Sequence, residues 1–324
     1  MQRRKFLALA SVAALSLTVA ACDTPAAAPG ASSGKKPYIA IVSKGFQHQF
    51  WQSVKQGAEK AAKEFNVDIS FEGPDKETNV QQQMDQLNNA MAKNPQALAL
   101  AALDSKAAEG VLEDAQSRKI PVIAFDSGVD SDIPVATAST DNKAAAAEAA
   151  KHLAGLLGNK GEVAIIGHSQ TATSGTDRRD GFVDYLKSNA PDITIVDIQY
   201  ADGDQAKSTD AAKSIMTAHP NLAGMYGTNE GAAIGVVNAV KEAGKTGGLV
   251  IVGFDSGKAQ TDAIKDGLMA GAVTQNPVGI GYETVKAAVA AIKGEKVEKV
   301  IDTGFYWYDK TNIADPKIAA NLYE

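Results

Sequence analysis

The chain is 324 residues long, 44% hydrophobic and 22% charged, with a formal net charge of −6. The length admits two domains of ordinary size, and the composition excludes a disordered chain. The acidic balance argues against binding to the phosphate backbone of nucleic acid.

The first 36 residues read as an address and a tether. The basic start MQRRKF precedes LALASVAALSLTVAA, an apolar stretch too short to rest in a membrane as an ordinary span, which ends in VAAC. Small residues before a cysteine resemble the lipobox of bacterial lipoproteins, with Cys22 as the lipidated residue. RRKFL also resembles a twin-arginine signal. Cys22 is the single cysteine, so no disulfide is expected. Without Arg3, Arg4 and Lys5, 29 basic residues stand against 38 acidic ones. Residues 23–36, DTPAAAPGASSGKK, have no periodic apolar face and read as a flexible tether. The expected location is extracytoplasmic, lipid-anchored to the cell membrane or periplasmic.

From Tyr38 onward two patterns alternate. YIAIVS, VDISF, ALALAAL, IPVIAF, EVAIIG, ITIVDI, LAGMYG, LVIVGF and MAGAVT read as strands. Segments with helical spacing separate them; in the first, Trp51, Val54, Ala58, Ala61 and Phe65 share a face. Strands apolar at consecutive positions and separated by helices imply parallel sheets covered on both sides, in doubly wound α/β domains. The series restarts at EVAIIGHSQ, so two similar domains are expected. Thr140, Asp141 and Asn142 punctuate the chain before an Ala-rich helix and mark a crossing. A second crossing is expected near Gln275, after which a helix from Pro277 to Ile292 returns to the first domain. The tail after Gly304 joins the second. The expected lobes are 37–140 plus 276–304, and 141–275 plus 305–324.

The tetrapeptide FDSG closes two of these strands and places Asp126 and Asp255 where they end. In open parallel sheets ligands bind beyond the carboxyl ends of the strands. Two facing acids suit vicinal hydroxyls; the alternative is that each caps a helix or a turn. SKGFQHQFW follows the first strand and offers Lys44, His48, Phe50 and Trp51, the aromatics either facing a sugar ring or packing a core. GTDRRDGF brings Arg178 and Arg179 to the mouth of the second domain, one as a donor to several oxygens and the other as a solvated charge. Asn229, in YGTNEGA, is either a ligand contact or a helix cap. Gln275 stands at a crossing. GFYWYDKTN, residues 304–312, clusters four aromatics that pack the lobes or touch a ligand or partner.

An enzyme would need an activated nucleophile, a poised acid–base pair or a metal. His48, His152, His168 and His219 lack metal-ligand spacing, and GHSQT lacks the last glycine of a nucleophile elbow. Asp126 and Asp255 as a glycosidase pair is the remaining enzymatic reading. No catalytic residue, metal or cofactor is expected.

With IAIVSKGFQHQFWQSVKQGAEKAAKEF, IPVIAFDSG, STDNKAAA, DRRDGF, TAHPNLAGMYGTNEGAAIG, VIVGFDSGKAQTDAIKDGLMAGAVTQNPVGIG and IKGEKV, the chain resembles the type I solute-binding proteins of bacterial ABC sugar importers, the group of the ribose-, allose- and galactose-binding proteins. The resemblance covers nearly everything from Tyr38 onward. It implies two lobes joined by a three-strand hinge that close on a sugar or polyol and present it to a membrane permease, as a monomer. It implies ligand contacts from Lys44, His48, Phe50, Trp51, Asp126, Thr140, Arg178, Asn229, Asp255 and Gln275, with Phe254 lining the pocket. The lac repressor family shares this fold but carries a helix-turn-helix where this chain has a lipoprotein leader. A receptor for a furanosyl signal such as autoinducer-2, or for chemotaxis, is the alternative role. Several positions depart from the family. Lys44 stands where ribose binders have a small hydroxyl residue, and His48 replaces Asn. Ser127 stands where Arg is common, Ala101 replaces a polar contact, and Gly203 falls where an aromatic ring stacks on the sugar. These changes favour a bulkier sugar, a furanose or a linear polyol.

Overall fold

The structure, a computed structural model, describes residues 36–323. Cys22 and the tether up to residue 35 lie outside the described residues. From Tyr38 the chain alternates as expected: β1 (Tyr38–Val42), α1 (Gln49–Phe65), β2 (Asp68–Glu72), α2 (Val80–Ala92), β3 (Ala97–Leu100), α3 (Glu109–Ser117), β4 (Val122–Phe125) and β5 (Ala136–Ser139). A second series follows with α4 (Asn142–Leu156), β6 (Lys160–Gly167), α5 (Thr173–Asn189), β7 (Asp192–Tyr200), α6 (Gln205–Ala218), β8 (Leu222–Gly227), α7 (Glu230–Glu242), β9 (Val250–Phe254), α8 (Lys258–Lys265) and β10 (Gly271–Gln275). The chain ends with α9 (Pro277–Ile292), β11 (Val300–Asp302), β12 (Phe305–Asp309) and α10 (Pro316–Ala319).

The strands form two six-stranded sheets, ordered β2-β1-β3-β4-β5-β11 and β7-β6-β8-β9-β10-β12. Pairing is parallel except between β10 and β12, which run antiparallel from Gly271 opposite Asp309 to Gln275 opposite Phe305. In each sheet β1 or β6 sits between its two successors, so the chain winds outward in both directions and helices cover both faces. The first sheet packs Ile39, Ile41 and Phe125 against α1 and α9, and Leu98 and Leu100 against α2 and α3. The second packs Val163, Ile165 and Phe254 against α4 and α5, and Ile166, Met225 and Ile251 against α6 and α7. Local sequence sets the helix starts. Asn79, Asp141, Asp204, Asn229 and Asn276 each accept a backbone N–H from the first turn of the helix that follows.

The chain passes between the sheets at three places: β5 to α4, β10 to α9, and β11 to β12. These crossings are tied together. Thr140 Oγ1 donates to Gln275 Oε1 at 3.0 Å and lies 3.4 Å from the Gly304 carbonyl; Thr303 N donates to Ser139 O at 3.1 Å. GFYWYDKTN supplies β12. Tyr308 is buried and donates to Asp255 O at 2.8 Å, and the Trp307 ring stacks on His152 at 4.0 Å. Beyond α10, Tyr323 returns to the first sheet's core, its ring 6.0 Å from Phe50, while its hydroxyl accepts the Ser256 N–H at 3.0 Å.

Candidate functional site

The carboxyl ends of both sheets converge on a cavity whose empty space, adjoining open solvent included, is about 280 Å³. Nine of the eleven candidate residues line it: Lys44, His48, Phe50, Trp51, Asp126, Arg178, Asn229, Asp255 and Gln275. Two lie elsewhere. Thr140 is a hinge-like contact, spent on Gln275. Phe254 is fully buried beneath the site, its ring 3.7 Å under the Arg178 guanidinium, so it supports that cation instead of lining the cavity. Two further liners, Glu77 and His168, were not among the candidates.

The FDSG repeat has a backbone meaning. Asp126 and Asp255 both adopt left-handed conformations, with φ of 56° and 78°. Each backbone N–H is tied to the neighbouring strand of its sheet, Asp126 N to Ala138 O at 2.9 Å and Asp255 N to Val273 O at 2.7 Å. A non-glycine residue held there is uncommon, with aspartate among those that adopt it most readily. The carboxyls differ in their partners. Asp255 accepts from Gln275 Nε2 (2.7 Å) and Glu230 N (2.9 Å), with Arg178 at 3.9 Å. Asp126 has an ion pair with Lys44 at 3.5 Å, but its Oδ2 has no hydrogen-bond partner among the described residues. Burial, set against Lys44 and Arg178, leaves the Asp126 carboxyl above the usual carboxylate range.

The other liners are held as firmly. Arg178 donates to Asn142 Oδ1 at 2.7 Å and to Thr228 O at 3.0 Å. Asn229 Oδ1 caps α7 through Ala232 N at 2.9 Å, and the residue also lines the cavity. Phe50 and Trp51 are buried in the first core and still line the cavity. Glu77 comes from the loop before α2 and accepts the Trp51 indole N–H at 2.7 Å. Burial acts to raise its pKa, but Lys44, His48, Trp51 and Arg178 outweigh that and hold it below the ordinary value. His168 is buried between Thr228 Oγ1 (2.8 Å) and Ser174 Oγ (3.4 Å); burial, then Lys44, Arg178 and His48, keep it neutral. Behind Asp255, Glu230 is buried against Gly257 with Oε2 unpartnered among the described residues. Burial, Asp255 and Glu77 push it up to about 8.

The lobes touch beside the cavity. Lys44 Nζ donates to Ser174 Oγ (3.2 Å), Ser127 Oγ meets Ser174 Oγ (2.8 Å), and Gly128 N donates to Thr173 Oγ1 (2.7 Å). Among the described residues no cluster of His, Cys, Asp and Glu could hold a metal ion.

The Periplasmic binding protein domain family matches residues 39–296. The D-allose-binding periplasmic protein of Escherichia coli is 33% identical over 80% of this chain and 85% of its own length. The ribose import binding protein of Salmonella typhimurium is 27% identical over 92% and 96%. A carbohydrate transporter solute-binding protein from Agrobacterium radiobacter, solved with D-arabinose, superposes with a TM-score of 0.85 at 34% identity, covering 89% of this chain and 99% of that one. One from Agrobacterium vitis, solved with α-D-tagatopyranose, gives 0.86 at 30%, covering 89% and 100%. The chain belongs to the periplasmic binding protein family, beside the allose- and ribose-binding proteins of ABC importers, and is a binding protein and not an enzyme.

Proposed function

We propose that the protein captures a neutral monosaccharide or related polyol between its lobes, closes over it by bending at the three crossings, and delivers it to an ABC permease while anchored through Cys22. The observation that carries this reading is the cavity where the two left-handed aspartates, one from each sheet, lie among aromatic side chains and charged donors. The chemistry of the lining selects for hydroxyls. Asp126, Asp255 and Glu77 accept, whereas Lys44, Arg178 and the Asn229 amide donate. A hydroxyl does both. An acidic ligand would face three carboxylates, and a cationic one would face Lys44 and Arg178. Hydrogen bonds to charged groups contribute about 1.5–3 kcal/mol each, so a few reach micromolar affinity, roughly −8 kcal/mol. The relatives solved with D-arabinose and tagatopyranose support the same class of ligand. Family membership puts the protein's work outside the cytoplasm.

A thermal-shift screen against pentoses, hexoses, linear polyols and a furanosyl signal tests the reading. A specific ligand raises the melting temperature by mass action, and the expected winner is a neutral polyhydroxylated compound. Stabilisation by amino acids, peptides or metal ions alone would overturn it.

A further inference from the structure

We infer that Glu77 is a ligand-contacting residue that sets specificity: its second carboxylate oxygen takes the hydrogen of one particular ligand hydroxyl. The inference rests on the sugar or polyol reading and sharpens it.

Glu77 is fixed from the first lobe. Its Oε1 accepts from Trp51 Nε1 at 2.7 Å, and its backbone N–H donates to Gln47 Oε1 at 3.0 Å. Its stem lies over Gly45, where a Cβ would come within 3.3 Å of Glu77 Cγ. With one oxygen held, the direction of the other is set. Oε2 accepts no hydrogen bond among the described residues and points towards the second lobe, 3.5 Å from where a Cβ on Gly203 would stand. That same Cβ would stand 2.9 Å from Asn229 Nδ2. Gly203 has φ of +69°, a conformation that favours glycine, and its lack of a side chain lets Asn229 and Glu77 come this close. An acceptor from one lobe and a donor from the other therefore both approach Gly203 and both line the cavity. A ligand hydroxyl that reaches the two donates to Glu77 and accepts from Asn229.

An ionised Glu77 can only accept. A ligand with a deoxy carbon at this point leaves the carboxylate unpaired in a desolvated cleft. Sites built to hydrogen-bond a hydroxyl discriminate strongly against analogues that lack it, because their buried polar groups lose partners.

The test is calorimetric titration with D-allose, D-ribose, D-arabinose, D-tagatose and D-fucose, followed by the monodeoxy analogues of whichever binds most tightly. Glu77→Ala removes the acceptor. Glu77→Gln keeps an oxygen for Trp51 and turns the other group into a donor, which guards against mere collapse of the loop. Wild type is expected to disfavour one deoxy analogue by at least about tenfold. Both variants are expected to weaken the parent sugar by roughly tenfold or more and to lose discrimination against that analogue alone. Wild-type affinities in both variants, or an equal loss for the parent and every analogue, would overturn the role of Glu77. If the wild-type protein binds none of the five sugars, the sugar reading itself fails, an outcome distinct from either.

Discussion

Asp126 and Asp255 occupy equivalent places in their sheets, yet their surroundings divide the work. Asp255 is satisfied within its own lobe by Gln275 and the Glu230 backbone, so it is a rigid element of the site. Asp126 Oδ2 has the Lys44 ammonium at 3.5 Å but no hydrogen bond among the described residues, which makes it the more ligand-dependent of the two. Glu230 is the titrating residue behind them. Its folded pKa of about 8 lies above the ordinary 4.5, so the folded state holds a proton that the unfolded chain releases between those values. The stability this gives is fully present below pH 4.5 and is lost as pH rises through 8. Glu230→Gln removes the titration and keeps the shape. At pH 9 the variant is expected to be more stable than wild type by about 2 kcal/mol or more, while at pH 5 the two converge. Melting curves from pH 5 to 9 decide this, and parallel profiles for the two proteins would refute it.

At the scale of elements, glycines set how closely the helices approach. A Cβ on Gly57 of α1 would collide with the Val278 carbonyl of α9, and one on Gly281 of α9 with the Val54 carbonyl of α1. In the second lobe Gly181 of α5 stands in the same relation to Lys143 of α4. Helical glycine normally costs about 1 kcal/mol relative to alanine, so the sign of Gly→Ala reports the contact. Gly57→Ala is expected to destabilise by about 1–3 kcal/mol because the helices must separate. Gly110→Ala in α3, where a new Cβ meets nothing within 4 Å, is expected to stabilise by about 0.5–1 kcal/mol. Urea unfolding of both variants measures the pair; stabilisation by Gly57→Ala would show that the contact yields cheaply.

The legibility of each element followed its chemistry. β1, β3, β4 and β9 announce themselves because a parallel strand covered on both faces is a run of apolar residues. β5 is ATAS, short and small, and β11 is VID with Val300 exposed, so neither carries a period-2 or an apolar signal. β12 is aromatic enough to be noticed, but its antiparallel place beside β10 depends on a crossing that leaves no local mark. The site divides the same way. Residues at strand ends were readable from the topology rule. Glu77 was not, since it sits in a polar loop, and only the Trp51 indole and the bare Gly203 give it direction. His168 follows β6 and was legible as a histidine, but its contact with Ser174 needs α5 folded back over the strand end.

At the scale of the whole molecule, the lobes are linked in two different ways. The crossings are covalent and cross-bonded through Thr140, Gln275 and Gly304, while beside the cavity the lobes meet through hydrogen bonds alone, such as the buried Ser127–Ser174 pair at 2.8 Å and Ser105 N to Thr171 O at 3.0 Å. If ligand exchange follows the proposed bending, these contacts must break for each molecule that enters or leaves, and the crossings need only rotate. A covalent bond between the Ser127 and Ser174 positions separates these requirements. Hydroxyls in direct contact place Ser127 and Ser174 within reach of a disulfide when both become cysteine. The Ser127→Cys, Ser174→Cys protein is expected to bind sugar normally in reductant. Once oxidised, its association should slow by at least about a hundredfold, because the open state is no longer populated. Trp51 lines the cavity, so its fluorescence in a stopped-flow mixing experiment reports binding directly. Thiol titration establishes that the bond has formed. A cross-linked protein that takes up sugar as fast as the reduced one would mean that the ligand enters without the lobes parting.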